Sequence, residues 1–168
     1  MTRHLYHLTL TEYTPSPSPL FPSSPYRLRT PTPTDLPALA ALMIVSYTGT
    51  IDYDGETLED ATNEVQSYFN GASGETLLDS SWLCFDCEAL ASAILISLWE
   101  GQPLVAYVMT ATAYKGQGLG RALLERSLTH LKNQGKTEVR AVITEGNLPS
   151  KTIFKAMGFQ LIPPHITP

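Results

Sequence analysis

The chain has 168 residues, 43% of them hydrophobic and 16% charged, with a formal net charge of −5; it suffices for one domain with a sizeable core and is too short for two ordinary ones. The acidic balance and the lack of any dense Lys/Arg stretch argue against a nucleic-acid partner, whose phosphates call for a basic patch. No apolar run approaches the ~20 residues of a membrane-crossing helix, and the opening residues MTRHLYHLTLTEY lack a signal-peptide core, so a soluble, cytoplasmic protein without membrane contact is expected.

Residues 1–25 read as an arm, with a strand-like piece over 5–11 followed by the tract PSPSPLFPSSP, whose prolines favour an extended or polyproline conformation. The domain proper is expected over 26–168. It starts with a strand at 26–30, then a helix capped by Thr34 or Asp35 with Leu36, Leu39, Ala40, Met43 and Tyr47 at helical spacing. Thr57 and Asp60 have the spacing that caps a second helix, with Leu58, Ala61, Val65, Tyr68 and Phe69 as its apolar stripe. Strands at 82–87, 92–99 and 104–110 follow, and connections this short predict an antiparallel meander. Cys84 and Cys87 lie in the first of these. Their C-x-x-C spacing allows a redox or zinc role, but a strand sends the two side chains to opposite faces, and buried inert thiols are the alternative. His4, His7, His130 and His165 show no metal-ligand spacing, and no metal is expected. A helix over 119–134, a strand over 138–144, a helix over 148–157 and a short strand over 159–162 complete a mixed α/β (α+β) domain.

The segment VAYVMTATAYKGQGLGRALLERSL carries the chemistry. A strand runs into a turn holding Gly116, Gly118 and Gly120, and a helix starts at once. Glycines allow close backbone approach, and the free N–H groups of the helix start, with its dipole behind them, suit a pyrophosphate. Lys115 and Arg121 stand where they can add charge at the rim. A P-loop is excluded because Arg121-Ala122 follows the last glycine instead of Lys-Ser or Lys-Thr. The dinucleotide fingerprint fails in both registers, meeting Arg121 or Leu123 where its third glycine belongs.

These residues resemble the GNAT superfamily of acyl-coenzyme A transferases. Gly118 and Gly120 match the last positions of its signature, and Lys115 stands where Gln or Arg is usual. The later segment EGNLPSKTIFKAMGF adds a second match through Asn147, Ser150, Phe154, Gly158 and Phe159. The resemblance covers about residues 26–162 and implies a central, mostly antiparallel twisted sheet, splayed between the strands at 104–110 and 138–144 and flanked by about four helices. It implies acetyl-coenzyme A as co-substrate, held by Thr110, Ala111, Thr112, Lys115, Gly116, Gln117, Gly118, Leu119, Gly120, Arg121, Asn147, Ser150 and Phe154. A backbone N–H around Thr110–Thr112 would polarise the thioester carbonyl, and an amine would attack it directly in a ternary complex. Phe154 replaces the Tyr that protonates the leaving thiolate in many relatives, and it cannot donate a proton.

The resemblance does not identify a general base. Glu100 and Glu145 are candidates because each follows a strand near the expected cleft; surface carboxylates or a water chain are the alternatives. The loop SYTGTIDYDGET, with Tyr47, Asp52 and Tyr53, has the carboxylates and rings that suit a cationic amine, although a solvated acidic loop has the same composition. The acceptor would be a small-molecule amine or a protein amine. A non-catalytic acyl-coenzyme A-binding module is the alternative that the missing Tyr favours. The strand-like arm is expected to cover a sheet edge left bare near 138–144, in a monomer or by exchange in a homodimer.

Overall fold

The computed structural model describes residues 1–16, 21 and 25–164. In chain order the elements are β1 (Arg3–Thr9), β2 (Tyr26–Arg29), α1 (Leu36–Tyr47), α2 (Leu58–Phe69), β3 (Trp82–Asp86), β4 (Ala89–Trp99), β5 (Gln102–Thr110), α3 (Leu119–Asn133), β6 (Glu138–Thr144), α4 (Leu148–Ala156) and β7 (Gln160–Leu161). The seven strands form one sheet in the order β2-β3-β4-β5-β6-β1-β7, and β5 with β6 is its parallel pair. Most of the proline-rich tract lies outside the described residues, as does His165.

Period-two alternation builds the two faces. On β4, Ala93 and Leu95 face α1 and α2, while Ile94 and Ile96 face α3. Both sides are covered, which is why this strand reads as a nearly unbroken apolar run. The helices take their places by local signals. Thr57 and Asp60 form the expected capping box on α2, the Asp60 N–H donating to Thr57 Oγ1 and Asp60 accepting from the Thr57 N–H. Arg29 forks onto Asp35 at the start of α1, with both guanidinium nitrogens on the two carboxylate oxygens. That hydrogen-bonded pair holds the Asp35 carboxyl below its ordinary range.

Two expectations need correction. Leu58 of the α2 stripe is exposed, because it is the first helical residue and precedes the buried face of Ala61, Val65 and Tyr68. Cys87 lies past the end of β3, in the turn to β4, with φ at 52° and its side chain exposed; only Cys84 is a buried thiol, its pKa pushed up to about 11 by burial. Both cysteines are free.

The arm is an interior strand. β1 runs antiparallel to β6 from Arg3↔Thr144 to Thr9↔Glu138, and β7 pairs with its outer side at Tyr6 and His7. The bare edge anticipated beside residues 138–144 is therefore covered within the same chain. Tyr6, Leu8 and Leu10 are buried with Val139, Ala141 and Phe159 in the core under α3 and α4. Because β7 pairs with β1 alone, removing β1 also unseats β7. Leu8→Ala is expected to cost about 2–5 kcal/mol, measured by urea denaturation, and deletion of residues 1–9 is expected to abolish amide protection at Gln160 and Ile162, whose N–H groups face β1, in hydrogen exchange.

Candidate active site

The site begins with one residue too many. Leu95 pairs with Tyr107 and Ile96 with Val105, so Ala106 has no partner on β4. Such a bulge bends a strand and re-aims side chains. Val105 packs toward α3, yet Ala106 and Tyr107 both turn to the α1/α2 face before Val108 returns to the α3 side. Pairing of β5 with β6 stops at the same level, its register partners being Leu104↔Arg140 and Val105↔Ala141. Beyond them the two parallel strands part, as the resemblance implies.

The gap exposes backbone donors. The Ala111 N–H bonds to Ala91 O on β4, so alternation of an antiparallel pair turns the N–H groups of Val108 and Thr110 away from β4 toward the gap. Thr110 N–H donates to Ser46 Oγ at 3.0 Å. The Val108 N–H, which the sequence argument missed, is left facing the gap. Nothing in a chain of letters marks it, because the bulge that frees it is a property of pairing.

At the C-terminal end of β5, past a short 3₁₀ turn at Thr112–Tyr114, lies the glycine turn. Gly116 and Gly118 have φ at 79° and 81°, in the left-handed region, and Gly118 caps α3. A side chain built at Gly118 would meet no atom within 4 Å, whereas one at Gly120 would meet Val108 Cγ1 at 3.3 Å and Thr110 Oγ1 at 3.5 Å. The two glycines thus differ in role: Gly118 leaves open space before the helix start, and Gly120 lets α3 lie close on β5. The N–H groups of Leu119, Gly120 and Arg121 have no acceptor within the helix and stand at its open end.

The expected rim charges are engaged elsewhere. Lys115 Nζ donates to Ser46 O at 2.6 Å, at the end of α1, and Arg121 pairs with Glu125 at 3.5 Å. Gln117 Oε1 accepts from the Tyr26 hydroxyl at 2.7 Å. Ala111 and Thr112 tie this turn inward, Thr112 Oγ1 donating to Val45 O at 2.9 Å.

On the α1/α2 face, these helices pack over β3, β4 and β5 and leave β6 and β1 uncovered. The uncovered region is the floor of a cavity of about 840 Å³. Its walls include Tyr47, Asp52 and Tyr53 of the expected acceptor loop, Val108 of β5, and Asn147, Ser150 and Phe154 of the α4 end. Asn147 works in two directions: its Oδ1 accepts from Ser150 N–H at 3.0 Å and caps α4, while its Nδ2 donates to Asp52 Oδ2 at 2.6 Å. The loop that carries Asp52 is thereby tied to the start of α4. Phe154 is buried edge-to-face against Phe159 at 4.9 Å.

Neither proposed base lines this cavity. Glu100 sits in the tight β4–β5 hairpin with φ at 50°, at the closed end of the sheet, where it pairs with Arg140 at 3.4 Å. Glu145 is exposed after β6, its N–H bonded to Thr2 O. The carboxylate facing the cavity beside β5 is Glu64 of α2, which accepts a hydrogen bond from the Tyr107 hydroxyl. Burial and this carboxylate raise the Tyr107 pKa, and burial with Asp52 raises that of Tyr47, so both phenols stay protonated near neutral pH. Sequence reasoning passed over Glu64 because a polar residue on a surface helix carries no signal; only the bulge that turns Tyr107 onto it marks it out. Among the described residues no cluster of three metal-ligating side chains occurs, and no helix is long and apolar enough to cross a membrane.

A mixed sheet parted between parallel strands, with a glycine-rich helix start at the mouth of the gap, is the fold of an acyl-coenzyme A transferase. The chain belongs to the GNAT acetyltransferases, residues 26–160 matching the family model described as the acetyltransferase (GNAT) domain. A stretch of 87 residues is 25% identical to mycothiol acetyltransferase of Corynebacterium glutamicum, covering 43% of this chain and 30% of that protein. A GCN5-related N-acetyltransferase from Sphaerobacter thermophilus superposes with a TM-score of 0.71 at 18% identity, over 95% of this chain and 48% of that one. A GNAT-family acetyltransferase from Brucella melitensis, solved in complex with acetyl-CoA, superposes at 0.60 with 16% identity, over 85% and 89%. The matching segment spans under a third of the curated relative's length, and the structural likenesses establish the fold.

The two glycines make separable predictions. Gly118→Val forces a branched side chain into left-handed backbone and open ligand space, and is expected to eliminate acetyl-coenzyme A binding in calorimetric titration. Gly120→Val presses on Val108 and Thr110 and is expected to lower the melting temperature as well; unchanged cofactor affinity in Gly118→Val would refute the assignment of the turn.

Proposed function

We propose that this protein is an N-acetyltransferase that passes an acetyl group from acetyl-coenzyme A directly to an amine bound in the cavity between the acceptor loop and β5. The observation that carries the reading is the parting of β5 and β6, which joins the glycine turn at one end to the acid-lined cavity at the other. The turn at Gly116–Arg121 holds the pyrophosphate through backbone N–H groups, which suits a chain whose own charge is −5. The residues present fit the co-substrate: the space before Gly118 is open, and the first N–H groups of α3 have no acceptor within the helix. The thioester supplies an activated acyl carbon.

This chain's own groups do the rest. The Val108 N–H, facing the gap, is placed to donate to the thioester oxygen as negative charge develops on it. Glu64 has its Oε1 held by Tyr107, leaving Oε2 to take the proton that the attacking amine loses. A carbon–nitrogen bond forms, the carbon–sulfur bond breaks, and the thiolate takes its proton from water, because Phe154 has none to give. Tyr47, Asp52 and Tyr53 form the acceptor's surroundings. Phe154 is also the observation that favours a second reading, an acyl-coenzyme A-binding module without turnover.

Thiol release with a panel of amines tests the two readings, since a binder retains cofactor affinity and never turns over. Glu64→Gln is expected to lower kcat by roughly 10²-fold or more, with acetyl-coenzyme A affinity unchanged; equal kcat would remove Glu64 from the mechanism. Where thiolate protonation limits turnover, Phe154→Tyr is expected to raise the single-turnover rate, and a flat or lowered rate with tight cofactor binding would leave Phe154 as packing.

A further inference from the structure

The register of β1 sends one cation into the cavity. Arg3 pairs with Thr144, Leu5 with Val142 and His7 with Arg140, so these side chains share the sheet face that α1 and α2 leave uncovered. The opposite residues, Tyr6 and Leu8, are in the core under α3 and α4. Arg3 consequently lines the cavity at the end of β6 where the strands have parted.

Its surroundings make it unusual. Among the described residues Arg3 is the single basic side chain lining the cavity, whose walls also carry Asp52, Glu56, Asp60 and Glu64. Each of those four acids already has a partner: Asn147, the Asp54 N–H, the Thr57 cap and Tyr107 respectively. Arg3 makes no hydrogen bond or ion pair among the described residues. A long, flexible guanidinium placed merely to neutralise the acids would have closed on one of them. Burial raises the pKa of both Tyr47 and Tyr107, and the Arg3 charge works against that rise at both hydroxyls.

We infer that the acceptor is a small zwitterion, an amine carrying a carboxylate, whose carboxylate is bound by Arg3 while its amine faces Glu64. The geometry supplies both halves. A planar guanidinium with free donors matches a carboxylate in a two-pronged pair, and the acids opposite favour the ammonium. A phosphate, with its double charge, is disfavoured by four carboxyl groups in the same cavity. A simple alkyl amine would leave the guanidinium without a counterpart. This inference rests on the acetyl-transfer reading above.

The test is a thermodynamic cycle between protein and acceptor. The full chain and its Arg3→Ala and Arg3→Lys variants are assayed for thiol release from acetyl-coenzyme A with the free amino acids and their primary amides as matched pairs. Amine basicity differs within each pair but cancels in the variant-to-parent ratio. For the preferred pair, Arg3→Ala is expected to lower kcat/KM for the acid by roughly 10- to 100-fold more than for the amide, since a charge-assisted pair is lost only with the acid. Arg3→Lys is expected to restore part of that difference. Equal effects on acid and amide, or turnover of amides with none of the acids, overturn the inference, as does the absence of turnover with every carboxylate-bearing amine. Melting curves show whether each variant is folded, and calorimetric binding of acetyl-coenzyme A keeps the outcomes separate: with binding intact, only the acceptor class has failed, whereas its loss in the unmodified chain removes the acetyl-transfer reading itself.

Discussion

Val105 and Tyr107 pair with neighbouring residues of β4, and Ala106 between them pairs with nothing there. That unpaired residue bends β5 where its bonds to β6 end, and the rest of the site follows from it. Two parallel strands that stayed paired would bury their N–H and C=O groups in a ladder. Parted, they leave the Val108 N–H turned to a gap, and they leave room for a ligand to take the place of a strand. The same bulge rotates Tyr107 onto the α2 face, where its hydroxyl meets Glu64. A backbone irregularity thus supplies the donor, the space and the orientation of a carboxylate.

The two ends of the gap use different physics. At the glycine turn the attraction for an anion comes from peptide N–H groups and a helix dipole, with the nearby Lys115 and Arg121 held by Ser46 O and Glu125. Under the proposed function, a chain with a net charge of −5 would hold a polyphosphate this way without a basic surface. At the cavity end the walls carry four carboxyl groups and the guanidinium of Arg3. The Asp52–Asn147 hydrogen bond links the ends mechanically, because Asn147 both caps α4 and holds the loop that carries Asp52.

β1 shows how a sheet solves the problem of a short last strand. β7 contributes two residues, too few to protect the edge of β6, and the prolines after it prevent extension. Inserting β1 between them gives β6 a seven-residue partner and gives β7 a place to dock. The segment is bound to the fold by buried apolar area through Tyr6, Leu8 and Leu10. Its other face is free for the site, which is how a residue so near the chain start comes to line the cavity.

Local chemistry in the chain determined a good deal. Helix starts were written in Thr57 with Asp60 and in Gly118, the meander in its short connections, and the family in two motifs spaced as its fold requires, because each of these depends on residues a few positions apart. The arm's role was legible for a related reason: a strand-like segment at one end and an interrupted strand at the other leave an edge to be covered. Which acids line the cavity was decided only by tertiary structure. Glu100 and Glu145 stand at strand ends in the sequence, yet one closes a hairpin at the paired end of the sheet and the other faces solvent. Glu64 and Arg3 look like ordinary surface residues until α2, β5 and β1 are assembled. Their convergence depends on strand register and on one unpaired residue, and register is set by pairing between segments more than a hundred residues apart, which no local pattern records.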